Sequence, residues 1–80
     1  MALYLLWHRH EPAECRFAYA AWHGFDSPLR HRSALSTCEQ GGHETWWVVE
    51  AADGDVATAH LPFFVASRST VRPVSLVQIP

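Results

Sequence analysis

Residues 2–9 constrain this chain more than any other stretch. Leu3, Leu5 and Trp7 fall on one side of an extended segment and Tyr4, Leu6 and His8 on the other, so both parities are bulky. A strand of that kind has to be covered on two faces, which places it at the centre of a sheet. The whole chain has 80 residues and is 49% apolar, with four tryptophans, two tyrosines and four phenylalanines. A single domain of that size buries only about 60% of the surface its unfolded chain exposes. Its apolar share exceeds what so thin a core consumes, and a second copy of the chain, in a homodimer, is the expected cover for the excess.

The remaining elements follow from local signals. Pro12 suits the first turn of a helix, where its missing N–H costs nothing, and Cys15, Ala18, Tyr19 and Trp22 recur at helical spacing up to Gly24. The expected helix covers 12–23. Residues 25–32 carry turn chemistry without periodicity and form the longest loop. Residues 34–39 make a short second strand, Gln40-Gly41-Gly42 a hairpin connection, and 45–51 a third strand rich in tryptophan and valine. Asp53 can cap a second helix from Gly54, with Val56, His60, Phe63 and Phe64 on one side, and Pro62 divides it into two short pieces. Residues 71–79 close the domain as a fourth strand, on an edge because of Pro73.

Strand, helix, strand, strand, helix, strand is the order of the ferredoxin-like βαββαβ arrangement. The expectation is therefore one α+β domain over residues 1–80. It comprises a four-stranded antiparallel sheet with two helices on one face and a dimer contact through the other. In that topology the first strand lies between the third and the fourth, and the second pairs with the third on its far side.

Nothing in the chain approaches the roughly 18 to 20 apolar residues of a membrane span. The opening apolar run lacks a basic leader and a small-residue cleavage site, and it reads as a buried strand of a cytoplasmic protein. Net charge is −2, and the basic residues are all arginines, scattered from Arg9 to Arg72. That balance argues against nucleic acid as a partner.

The residues with the most chemistry lie, on this topology, at one edge of the sheet. The end of the first strand, the start of the first helix and the hairpin meet there, gathering His8, His10, Cys15, Cys38 and His43, while His23 and His31 fall at the opposite edge. Imidazole nitrogen and thiolate sulfur are ligands for nickel, zinc and copper, so the edge is a candidate transition-metal site. Its role would be binding or sensing rather than turnover. The two cysteines are expected as free thiols or ligands. Cys15 reads first as a small residue packed under the sheet, and its place in the first turn of a helix adds a second reading, a reactive thiol with a lowered pKa.

An alternative draws on the aromatics. Tyr4, Trp7, Trp46 and Trp47 could wall a ligand-binding pocket on the helix-free face, with Glu44 and Glu50 near Trp46 to move a proton. The chain would then be a dimeric enzyme or binding protein for a small apolar ligand, aromatic or polyketide-like. A third class is an interaction module whose open sheet docks on a larger enzyme. Arg30, His31 and Arg32, with His23, add a small cationic patch able to receive a carboxylate or phosphate.

Over residues 45–51, Asp53 to His60 and Thr70 to Val74, the sequence resembles the second half of a family of small, mostly uncharacterised ferredoxin-like proteins that includes a nickel-binding actinobacterial member. The likeness covers roughly half the chain; the first half, with His8-Arg9-His10 and Trp22-His23-Gly24-Phe25, departs from the pattern. It implies a dimeric α+β barrel type of domain holding nickel or another transition metal at histidines.

Overall fold

The computed structural model describes residues 1–80 as an α+β chain built on one antiparallel sheet. Its elements run β1 (Ala2–Arg9), α1 (Cys15–Ala20), β2 (Leu35–Ser36), β3 (Glu44–Ala51), α2 (Gly54–Thr58), α3 (Phe63–Ala66) and β4 (Ser69–Val74). The sheet order is β2-β3-β1-β4, with β1 pairing β3 from Ala2↔Ala51 to Arg9↔Glu44 and β4 from Leu3↔Val74 to His8↔Ser69. β1 is thus internal, and β4, with Pro73, is an edge. No helix is long and apolar enough to cross a membrane.

Strand alternation sorts β1 into two faces. Tyr4, Leu6 and His8 turn toward the helices, and Leu6 joins Val49, Ala51, Ala57, Leu61 and Val65 in the core cluster. Only 9 of 80 residues are buried, His8 among them, so the core is thin. On the other face Leu5 and Trp7 oppose Val48 and Trp46, and Val48 stays largely exposed.

Several boundaries differ from expectation for local reasons. Pro12–Glu14 is a 3-10 turn ahead of α1, and α1 stops at Ala20 rather than 23. The next bonds, Trp22 N–H to the Tyr19 carbonyl and His23 N–H to that of Ala20, tighten the chain into a turn that Gly24 closes with φ 75°. β2 keeps only two residues, because a 3-10 turn over Cys38–Gln40 replaces the expected tight two-glycine hairpin. Thr37 organises that turn: its carbonyl accepts from Gln40 and Gly42, and its Oγ1 accepts from the Glu44 N–H at 3.1 Å. A Cβ on Gly42 would run into the Thr37 side chain, whereas Gly41 is the glycine with positive φ, 85°.

The second helical region does divide at Pro62, and Asp53 Oδ1 caps α2 by accepting from the Val56 N–H at 2.9 Å. Its inward residues are not the expected ones. Ala57, Leu61 and Val65 face the core across the break, leaving Val56 and Phe63 exposed. β4 starts two residues early at Ser69 and ends at Val74, and residues 75–80 belong to no regular element.

Candidate metal centre

Four ligand atoms converge beside the last residues of β1. One each from His10, Cys15, Cys38 and His43 lies within 4.8 Å of all the others. A tetrahedral zinc site with two imidazoles and two thiolates has ligand–ligand edges of about 3.3–3.8 Å, so a pair at the 4.8 Å limit would close by about 1 Å or more around an ion. Cys38 Sγ already sits 3.8 Å from His10 Nε2. The chemistry of the set, two nitrogens and two sulfurs, fits a transition metal such as zinc.

Each ligand is placed by its own element. The His10 N–H donates to the His43 carbonyl at 3.1 Å, extending the β1–β3 ladder and leaving the two imidazole centroids 5.3 Å apart. His43 adopts φ 54°, an uncommon left-handed conformation for a residue with a Cβ, of the kind often kept where function needs it. Its Nδ1 is buried without a hydrogen-bond partner, a costly state that coordination would relieve. Cys38 opens the 3-10 turn fixed by Thr37, with its N–H held by Ser36 Oγ at 3.1 Å. Cys15 opens α1 directly after Glu14, whose carboxylate takes two hydrogen bonds from the Arg68 guanidinium, at 2.8 and 3.1 Å. Arg68 also lies 3.8 Å over the Phe64 ring, so α1 is tied to α3 at the level of the ligand. The same guanidinium holds the Glu14 carboxyl below the usual range.

His8 stands outside the cluster and orders it. Ser69 Oγ donates to the Val65 carbonyl at 2.6 Å, and His8 Nδ1 lies 3.2 Å from that carbonyl and 3.3 Å from Ser69 Oγ. Both oxygens are free only to accept from the ring, so His8 carries its proton on Nδ1. His8 Nε2 must then accept, and the group 2.9 Å away is His10 Nδ1, which donates. The outcome is a His10 ring whose Nε2 is a bare lone pair facing the cluster, the arrangement that second-sphere partners impose on metal-bound histidines. Burial pushes His8 below its ordinary pKa against the pull of the Val65 carbonyl, and burial followed by the neighbouring His43 does the same to His10. Both rings are held toward the neutral form that coordination requires.

The reading of Cys15 as an activated thiol is not supported: burial pushes the thiol up, and the adjacent Cys38 adds to the effect. Both cysteines are free thiols. Tyr19, on α1, is raised by a hydrogen bond with Cys38 and then by burial, which makes it a neighbour of the sulfur that periodicity alone did not suggest.

Of the aromatic residues named for a ligand pocket, Tyr4 and Trp47 lie on the helix-bearing face and Trp7 and Trp46 on the open one, following the register. The four therefore do not wall one cavity. Trp7 Nε1 instead donates to Glu44 at 2.8 Å. His23 and His31, expected at the far edge, line the same cleft as His8 and His10, because the early stop of α1 lets the following loop fold back. Glu14, Thr37, Arg68 and Ser69 were invisible as site residues in the sequence, since none is a ligand type and their partners are distant along the chain.

Comparison of the chain with protein-family models, curated proteins and solved structures finds no match.

Proposed function

We propose that this chain is a small zinc-binding protein in which His10, Cys15, Cys38 and His43 take one ion in a closed, four-coordinate site. The observation that carries this reading is the convergence of the four ligand atoms within 4.8 Å. Two thiolates favour zinc over nickel or copper(II) in a tetrahedral setting, and four protein ligands leave no open position for a reacting water. The role is accordingly structural or sensory, with His8 setting the affinity through His10. A reduced, cytoplasmic setting and a homodimer formed through the helix-free face belong to the same proposal, as does the ferredoxin-like reading of the fold. The β2-β3-β1-β4 order with helices on one face supports that reading.

Cobalt substitution tests it. One equivalent of Co(II) should give the intense visible bands of a tetrahedral ion and a near-ultraviolet sulfur charge-transfer band scaled for two thiolates, both bleached by one equivalent of zinc. Weak octahedral bands, or a spectrum unchanged by Cys15→Ser with Cys38→Ser, would reject the site.

A further inference from the structure

The helix-bearing face keeps an open cleft of about 450 Å³ between β3, α1 and the loop that follows α1. That volume is within the roughly 300–1,000 Å³ typical of small-molecule sites. Its floor is aromatic: Trp22 and Trp47 present rings with centroids 5.7 Å apart, tilted by 53°. Its rim carries the guanidiniums of Arg30 and Arg32, with His31 between them in sequence. None of the chain's eight aspartates and glutamates lines it, although the chain as a whole carries net charge −2. The one ion pair in the molecule joins Glu14 to Arg68, so neither rim arginine has a carboxylate partner.

The wall that carries the arginines is fastened down. Ser27 Oγ donates to the His60 carbonyl at 2.7 Å and accepts from the Leu29 N–H at 3.2 Å, and the Arg30 N–H donates to the Ser27 carbonyl at 3.2 Å. The two tilted indole faces offer apolar contact to a ring, and guanidiniums without a carboxylate partner, that of Arg30 donating only to the Phe25 carbonyl at 3.5 Å, attract a carboxylate with bidentate geometry. We propose that this cleft binds an aromatic carboxylate, its ring against Trp22 and Trp47 and its carboxylate at Arg30 and Arg32. The inference goes beyond the zinc reading and needs no ion.

Calorimetric titration of the full chain with naphthoate, with naphthamide of the same shape and with inorganic phosphate tests it. Naphthoate should bind at one site about tenfold more tightly than naphthamide, as expected for a charge-assisted pair, and phosphate should not displace it. Arg32→Gln, at an exposed position that leaves the core untouched, should remove most of the preference for the acid while leaving the amide unchanged. Absence of naphthoate binding at millimolar concentration, equal affinity for acid and amide, or displacement by phosphate would overturn the proposal. So would naphthoate binding that survives Arg32→Gln but vanishes on chelation, which would place the carboxylate on the metal.

Discussion

The two ends of the helix-bearing face are held by different physics. At one end Leu6 packs on Ala57, Leu61 and Val65 with no polar group among them, a hydrocarbon cluster complete in itself. At the other, further along the chain from Leu6, His8 and His10 meet Cys15, Cys38 and His43, and the contacts are hydrogen bonds, an ion pair and four ligand atoms within 4.8 Å of one another. The first end buries apolar area and stabilises without help. The second gathers polar groups that repay their desolvation only when something binds them. With so few residues buried, the proposed zinc site implies a fold whose stability is divided between a small core and a coordination centre.

That division can be broken from either side. The largest effect is expected from Cys15→Ser with Cys38→Ser, which should abolish stoichiometric zinc binding and remove all zinc-dependent stability, on the order of 10 kcal/mol for sites of this class. Denaturant titration with and without zinc reads the loss, and the two curves should coincide for the variant alone. Leu6→Ala comes next. It opens a cavity in the core and should cost about 3 kcal/mol in both the presence and the absence of zinc, with stoichiometry intact. His8→Phe keeps an aromatic ring at this buried position but removes the acceptor for His10 Nδ1, so zinc affinity in a competition titration should fall about 10- to 100-fold while one ion still binds. Arg68→Met, which releases the tether to Glu14, should lower the melting temperature least and leave stoichiometry unchanged; an effect as large as that of Leu6→Ala would show the tether to be part of the core.

What the sequence disclosed follows the same line between local and distant causes. β1 was legible because bulky residues fill both parities of one run, β3 because of its tryptophans and valines, and the Asp53 cap and Pro62 break because they act within one turn. The β2–β3 connection was not, since its shape is dictated by Thr37 bonding forward to Gly42 and Glu44 rather than by the glycines that suggested a tight hairpin. Four of the five ligand candidates come together because topology alone brings their elements to one edge. The position of His8 depended on a distant fact: Val65 and Ser69 arrive beside its ring, 57 and 61 residues away, and turn it into the partner of a ligand. The aromatic residues were misassigned to a common cavity because register, not composition, decides which face each tryptophan takes.

Native mass spectrometry of untagged protein purified in zinc-containing medium, beside its Cys15→Ser, Cys38→Ser variant, tests the central claim most directly. One zinc ion per chain is expected in the wild type and none in the variant. A wild-type chain that stays metal-free after zinc is added, or a variant that carries zinc as fully as the wild type, would contradict it.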